Sequence, residues 1–355
     1  MRFKTLKDFS VANQRVLVRC DFNVPVDEEG NILDDFKIQK SLPTIKYLID
    51  NKAKVVLMSH LDPKSTGVVD KKYTLDNVAS KLSDYLNISI AKESDCVGPE
   101  VEAVVNKLEQ GDVLLLENLR FYKEETDNDS DFAKKLSYLG DIYVNDAFGS
   151  DHRAHASIVG VPKFLSGCMG FLLEREITAL DEIIGKSLPA DRQTEKPMVA
   201  IIGGKKVKTK TKFIDKISEV ADWVIVSGLI KKEAEEQGIQ FKYPEKILAP
   251  KGKLDDFDIN EESIKIFEEK ILNSKTVLWN GPFGKFEEKE YSKGTRAIAD
   301  AIIKSNAFSV VGGGETIEFL QKQGIIDKFS HVSTGGGAML SYLAGDTFPG
   351  LDALK

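Results

Sequence analysis

Cysteine, histidine and arginine are scarce in this chain, and long apolar runs are absent. Its 355 residues hold three cysteines, Cys20, Cys96 and Cys168, with no CxxC and no Cys/His metal spacing. That spacing excludes a disulfide framework and a structural zinc. No apolar segment reaches the ~18 residues that a membrane span needs. Met1 to Ser10 mixes Lys, Asp and Phe without an apolar core, so no signal peptide is expected. The formal net charge is −7, from 49 basic and 56 acidic residues, which argues against a broad basic surface for nucleic acid. The expectation is a cytoplasmic protein with neither membrane nor nucleic acid as partner. With no obvious interface stripe, a monomer is expected. GxxxxGKS/T and GxGxxG are both missing, so neither a Walker-type P-loop nor the usual dinucleotide fingerprint is available.

What is present is alternation. Near-continuous apolar runs occur at Val16–Cys20, Lys54–His60, Val113–Leu119 and Ile142–Phe148. A second set occurs at Met198–Gly204, Trp223–Gly228, Thr276–Pro282, Ser309–Gly314 and His331–Gly337. Runs of this kind are strands covered on both faces. Helical periodicity lies between them, at Leu42–Asn51, Leu75–Leu86, Phe132–Leu139, Ile264–Leu272 and Tyr291–Ile303. The fold class expected is α/β: two Rossmann-like lobes, each a parallel sheet with flanking helices, joined by a hinge helix. The apolar spacing over Phe164–Ile184 predicts the bridging helix, and polar Lys186–Pro197 reads as a linker. The expected division is 1–165, 166–186 and 187–339.

In parallel sheets, ligands bind beyond the carboxyl ends of the strands. Those ends differ between the two halves. The first half ends in Asp21-Phe22-Asn23, Ser59-His60, Glu117-Asn118-Leu119-Arg120 and Asn145-Asp146, trailed by His152-Arg153-Ala154-His155. Only eight of the 49 basic residues are arginine, yet Arg19, Arg120 and Arg153 all fall at or just after strand ends. The planar guanidinium grips carboxylate or phosphate at two points, which lysine cannot do. A basic pocket for a small anion is expected there. The second half ends in Gly203-Gly204, Ser227-Gly228, Asn280-Gly281-Pro282, Gly312-Gly313-Gly314-Glu315-Thr316 and Ser333-Thr334-Gly335-Gly336-Gly337. Glycine admits phosphate close to backbone N–H groups, and a helix N-terminus adds positive potential. A nucleotide cradle is expected there. Lys205, Lys206, Lys208, Lys210 and Lys212 open a helix, where the macrodipole disfavours cations. Lys206 and Lys210, four apart on one face, are the pair expected to hold an anion.

Taken in order, these segments resemble the phosphoglycerate kinase family over nearly the whole chain. The resemblance is carried by Arg19-Cys20-Asp21-Phe22-Asn23-Val24-Pro25, Leu42-Pro43-Thr44-Ile45, Ser59-His60-Leu61, Glu117-Asn118-Leu119-Arg120-Phe121 and Tyr143-Val144-Asn145-Asp146-Ala147-Phe148-Gly149. It continues through His152-Arg153-Ala154-His155-Ala156-Ser157, Gly203-Gly204-Lys205-Lys206-Val207, Trp279-Asn280-Gly281-Pro282, Val311-Gly312-Gly313-Gly314 and Ser333-Thr334-Gly335-Gly336-Gly337. The resemblance implies reversible transfer of a phosphoryl group between 1,3-bisphosphoglycerate and ADP, giving 3-phosphoglycerate and ATP, in glycolysis. It implies that the first lobe binds the phosphoglycerate, the second binds the Mg2+–nucleotide, a hinge closes them together, and the tail 340–355 returns to the first lobe. Carried over, Arg19, Asp21, Asn23, His60, Arg120, His152, Arg153 and His155 bind the acid. Gly203, Gly204, Lys206, Lys210, Asn280, Gly284, Glu287, Gly312, Gly313, Gly314 and Thr316 bind the nucleotide. Lys37, Lys210, Gly313 and Gly336 serve the transferring group, and Glu315 the metal.

The chain departs from the family pattern at several places. Lys37 stands where the family has arginine. The family's His-Leu-Gly-Arg reads His60-Leu61-Asp62-Pro63-Lys64, its Asp after the triple glycine reads Glu315, and Lys205 replaces a small residue. The stretch Leu229–Ser274, part of the adenine-side wall, is shorter. Two alternatives therefore stay open: a weakened relative that binds a ligand or partner, and a kinase for another small phosphorylated acid.

Overall fold

The computed structural model describes residues 3–61, 67–186, 194–204, 207–254 and 256–355, with 207–209 described by backbone alone. Lys205, Lys206 and the Asp62-Pro63-Lys64 departure lie outside the described residues, as does most of the expected linker. The described strands form two six-stranded sheets. The first contains β1 (Arg15–Cys20), β2 (Lys54–Met58), β3 (Ala91–Lys92), β4 (Val113–Leu115), β5 (Ile142–Asp146) and β6 (Gly167–Met169), in the order β3-β4-β2-β1-β5-β6. The second contains β7 (Met198–Ile202), β8 (Trp223–Val226), β9 (Ile247–Leu248), β10 (Thr276–Asn280), β11 (Phe308–Gly312) and β12 (His331–Val332), in the order β12-β11-β10-β7-β8-β9. Every pairing within the sheets is parallel. Read from its β9 edge, the second sheet has the doubly wound order 3-2-1-4-5-6. The first differs at one edge, where β4 inserts between β3 and β2.

Alternation along β1 explains how the first sheet is filled. Val16, Val18 and Cys20 join Val55, Leu57, Val113, Leu115 and Val144 in one core, closed by Ile38, Ile45 and Leu48 of the helix Phe36–Asp50. Leu17 and Arg19 therefore face the opposite side of the sheet, and both are fully buried. The helix begins at Phe36, six residues earlier than the periodicity from Leu42 predicts, and it runs through Pro43. Buried Phe36 and Ile38 extend its apolar stripe, which places Lys37 in the first turn.

The chain divides into two compact units, Met1–Arg175 with Phe348–Lys355, and Glu176–Thr347. The division falls inside the helix Phe171–Ile184. The residues just before that helix, expected to belong to it, form β6 instead. Gly167 and Gly170 fit against Tyr143 and Asp146 of β5 so closely that an added Cβ would lie 2.9 and 2.2 Å from their atoms. The tail joins the first unit only from Phe348, not from 340. The helix Gly337–Leu343 packs instead on the helix Val207–Val220, and the Tyr342 hydroxyl donates to Asp181 at 2.6 Å. From Phe348 onward the tail is tied to the first unit. Its ring stacks on Phe148 at 5.8 Å, and Gly350 N–H donates to the Asp151 carbonyl at 3.0 Å.

Each sheet has one point where the winding reverses. In the first it lies between β1 and β5, and in the second between β7 and β10. The crevice beyond the carboxyl ends at such a point is the place where a doubly wound sheet binds its ligand. Among the described residues, no helix is long and apolar enough to cross a membrane.

Candidate active site

In the first unit, the segments after β1, β2 and β5 bring their polar residues together at the carboxyl end of the sheet, where the topology leaves its crevice: His60 feels Arg120, Lys37 and His155, His152 feels Asp21, and Asn23 bonds to Asp21. Asp21 is buried, and its carboxylate accepts from Lys37 Nζ at 2.9 Å and from the Asn23 amide at 3.2 Å. Asn118 organises the neighbouring loop. Its side-chain oxygen accepts from Leu61 N and Arg120 N at 3.1 and 2.9 Å, and its amide donates to the carbonyls of Leu61 and Tyr73. That clamp holds Arg120, buried in the turn Leu119–Phe121, beside the segment that carries His60.

Arg19 is placed differently from a ligand-contacting arginine. It is 0% exposed, and its guanidinium points into the body of the unit. Nε donates to Ser157 Oγ at 2.8 Å, Nη1 to the Cys20 carbonyl, and Nη2 to His60 Nδ1 at 3.1 Å. A guanidinium can only donate, so His60 Nδ1 accepts, and a neutral ring then carries its proton on Nε2; the tautomer is assigned from this bond. The ring is neutral because burial, reinforced by Arg19, Arg120 and Lys37, holds its pKa well below the usual histidine value. Burial and the neighbouring Arg120 push His155 down to about 3. Its 3.9 Å approach to Glu125 is therefore not an ion pair at neutral pH. His152, lowered by burial and Arg153, accepts from Arg153 Nε at 3.2 Å. The crevice thus combines fixed cations (Arg120, Arg153, Lys37) with neutral imidazole donors, a set suited to a small phosphorylated carboxylic acid.

In the second unit a cavity of about 650 Å³ opens at the reversal point. Gly204, Lys210, Asn280, Gly284, Glu287, Gly313, Gly314, Glu315 and Thr316 all line it. Gly313, at φ +98°, caps the helix Gly314–Lys322, so the first residues of that helix border the cavity. Lys210 Nζ donates to the Gly203 carbonyl, and burial lowers the pKa of the ammonium against the opposing pull of Glu315. The Thr316 hydroxyl accepts from Gly281 N–H at 2.9 Å.

Two of the expected nucleotide glycines, Gly203 and Gly312, do not line the cavity. An added Cβ on Gly203 would sit 2.2 Å from the Pro282 carbonyl, and one on Gly312 2.7 Å from Met339. Their bareness lets the chain ends beyond β7 and β10 approach each other and lets β11 accept Met339 of the helix Gly337–Leu343. Gly336, at φ +45°, caps the helix Gly337–Leu343 and does not line this cavity. Its loop is tied down by Glu176, whose carboxylate accepts from Thr334 N, Thr334 Oγ1 and His331 Nε2 at 2.6, 2.8 and 2.9 Å.

Glu315 is an exposed carboxylate at the cavity edge, and among the described residues no group of three potential ligands could hold a metal alone. Mg2+ commonly takes one or two protein carboxylates and fills its shell with substrate phosphates and water. The residues present fit a metal that arrives with its nucleotide.

Sequence reasoning missed part of the machinery. The cavity wall formed by Pro250, Leu254, Phe257 and Asn260 comes from the shortened stretch. It closes on Ser227-Gly228, where an added Cβ on Gly228 would lie 2.1 Å from the Leu254 carbonyl. The resemblance placed the stretch Leu229–Ser274 on the adenine side, but it named none of these four residues. Glu125, which stands with Ser157 behind Arg19, gave no signal, because Lys123-Glu124-Glu125-Thr126 reads as a solvated charged turn.

Paired doubly wound sheets, one opening on a cationic crevice and the other on a glycine-lined cavity, define a two-unit α/β protein of the phosphoryl-transfer class. The family model described as phosphoglycerate kinase matches residues 6–238 and 231–346. The phosphoglycerate kinase of Finegoldia magna is 42% identical over 401 aligned residues, covering 100% of this chain and 99% of the relative. That of Borrelia hermsii is 40% identical over 402, covering 100% of both. Among solved structures, the Pyrococcus horikoshii phosphoglycerate kinase aligns with TM-score 0.86 at 31% identity, over 99% of this chain and 98% of that one. The Coxiella burnetii phosphoglycerate kinase aligns with TM-score 0.80 at 31% identity, over 99% of each chain. The chain belongs to the phosphoglycerate kinase family, phosphotransferases with a carboxyl group as acceptor.

Proposed function

We propose that this protein transfers a phosphoryl group reversibly between 1,3-bisphosphoglycerate and ADP, giving 3-phosphoglycerate and ATP. The observation that carries this reading is the chemical difference between the two reversal-point crevices. The first gathers Arg120, His60, Asp21 and Lys37; the second is bordered by Lys210, Gly313, Gly314 and Glu315. In the direction of ATP use, a carboxylate oxygen of 3-phosphoglycerate attacks the γ-phosphorus in line. The bond from that phosphorus to the bridging oxygen breaks, and ADP leaves with the electron pair. No proton must move, so positioning, charge neutralisation and exclusion of water supply the catalysis.

In this reading Arg120, Arg153 and His60 hold the acid, with Asn23, His152 and His155 beside them, and Arg19 acts from behind His60. Lys210 and the amides of Gly313, Gly314 and Gly336 neutralise the transferring group, while Asn280, Gly284 and Glu287 flank the nucleoside. Mg2+ held by Glu315 and the nucleotide phosphates would supply further charge neutralisation there. Closure of the two units over their substrates brings the halves together and expels water. The test is a coupled assay with ATP and 3-phosphoglycerate on the wild type and Lys210→Ala. Wild-type turnover is expected to exceed the variant's by at least ~100-fold, as for loss of a transition-state cation. A folded wild type no faster than the variant overturns the reading.

A further inference from the structure

Glu125 takes no part in the roles assigned above, yet it is fully buried. It lies in the short helix Lys123–Thr126 and faces the turn Ala156–Gly160 that follows β5. One carboxylate oxygen accepts from Ser157 N–H at 2.9 Å and the other from Ser157 Oγ at 2.6 Å; the latter also lies 4.0 Å from Arg19 Nη2. The serine hydroxyl has one proton. Since it gives that proton to Glu125, it meets Arg19 Nε, 2.8 Å away, as an acceptor. Arg19 then donates onward to His60 Nδ1 at 3.1 Å.

The directions along this chain follow from its donors. The serine hydroxyl gives its proton to the carboxylate, and the guanidinium, which can only donate, meets the serine oxygen and His60 Nδ1 as acceptors; Glu125 and Ser157 therefore act by holding Arg19 where it reaches that nitrogen. Among the described residues, Glu125 is also the one carboxylate within 4.0 Å of the buried Arg19 cation, whose other acceptors are a carbonyl, a hydroxyl and an imidazole. A buried cation without a countercharge is costly, and its geometry relaxes to find one.

We propose that Glu125 is a positioning residue for the acid substrate, acting through Ser157 and Arg19 to fix the tautomer and orientation of His60 so that its Nε2–H is offered to 3-phosphoglycerate. This rests on reading the first crevice as the acid site. Glu125→Gln would present an NH2 group to the Ser157 donors and remove the countercharge of Arg19. Ser157→Ala breaks the same chain while leaving Glu125 opposite Arg19.

The experiment uses the full chain in two measurements. The first is steady-state kinetics with each substrate varied. The second is 15N NMR of the ring nitrogens in 15N-histidine-labelled protein without ligand, tractable because the chain has four histidines. For either variant the KM for 3-phosphoglycerate is expected to rise about tenfold, the effect of one hydrogen bond to a charged group, while the KM for ATP stays within about twofold. The His60 signals are expected to move from pure Nε2–H toward a mixture of tautomers. A folded Glu125→Gln variant with an unchanged His60 tautomer, or one that raises both KM values alike, overturns the proposal. If Glu125→Gln does not fold, Ser157→Ala decides by the same criteria. The ring signals need no turnover: a wild type without kinase activity but with a variant-sensitive tautomer refutes the activity and leaves the positioning chain standing.

Discussion

Replacing Glu176 separates two costs that are usually entangled, loss of a buried charge and loss of acceptors. Glu176 is fully buried in the helix Phe171–Ile184, and three donors converge on its carboxylate, two from Thr334 and one from His331. In Glu176→Ala all three lose their acceptor and a small void opens. Each buried donor left unmet costs ~1–3 kcal/mol, and since the three relax together the expected loss is ~3–5 kcal/mol. In Glu176→Gln the amide oxygen still accepts from both Thr334 donors. The NH2 group then faces His331 Nε2, which becomes an acceptor by a change of tautomer, so the expected loss is only ~1 kcal/mol. Urea unfolding followed by tryptophan fluorescence reads this directly, because Trp223 and Trp279 both lie in the second unit. With an m-value of ~2 kcal/mol/M, the midpoint should fall by ~1.5–2.5 M for the alanine variant and by ~0.5 M for the glutamine variant. Equal midpoints for the two variants, or an alanine variant within ~0.5 kcal/mol of wild type, would refute the acceptor argument. Because the same carboxylate fixes the loop that ends in Gly336, the alanine variant should also lose turnover at temperatures where it remains folded.

The comparison between sequence and structure has a physical pattern. The long central strands were legible because both faces are covered, and burial on both faces leaves continuous apolar runs such as Val16–Cys20 and Met198–Ile202. The edge strands β3, β6 and β9 were not: they hold two or three residues and, unlike the equally short β4 and β12, are not followed by a motif that carries the family resemblance and so marks a strand end. The start of the helix Phe36–Asp50 was misplaced because the period was counted from Leu42, whereas packing of Phe36 and Ile38 begins the helix earlier and carries it through Pro43. At the site, residues at strand ends could be found from the topology rule alone. What stands one layer behind them could not. Arg19 sits on a strand and was grouped with the ligand contacts by its charge, but the register of β1 turns it into the protein. Gly203 and Gly312 were grouped with the phosphate-binding glycines by composition, but their neighbours show that they are bare for packing. The shortening of the chain, by contrast, is visible from both sides. Alignments of 401 and 402 residues meet a chain of 355, and the family model matches in two segments that overlap at 231–238, inside the stretch read as short.

Two further predictions concern the first unit. Lys37 pairs with Asp21 at 2.9 Å and keeps the charge but not the fork of the family's arginine, so Lys37→Arg should raise kcat ~3–10-fold with little change in the KM for ATP; an unchanged kcat would mean that a point charge suffices there. The second prediction turns on Asp146, which is fully buried at the end of β5 and accepts from Leu172 N and Leu173 N at 2.9 and 3.2 Å. Burial raises its carboxyl to about 7, against the opposing pull of the Thr44 hydroxyl and these two amides. The sign follows from linkage. The folded state holds this proton up to about pH 7, while the unfolded chain releases it near the ordinary value of 3.8, so the folded form binds more protons across that window. The contribution to stability is fully present below the unfolded pKa and is lost as pH rises to the folded one. Asp146→Asn keeps the accepting oxygen and cannot ionise. Its stability relative to wild type should therefore be flat below about pH 4 and climb between pH 4 and 7 by ~2–4 kcal/mol, then level off. Asp151, also raised to about 7 by burial, is pushed up further by the Asp146 charge, so Asp146→Asn eases its ionisation too and adds to the difference in the same direction. Urea midpoints measured at pH 4, 5.5, 7 and 8 supply the curve. A difference between the two proteins that does not change with pH would show that Asp146 is ionised throughout and that the amides at the helix N-terminus outweigh the cost of its burial.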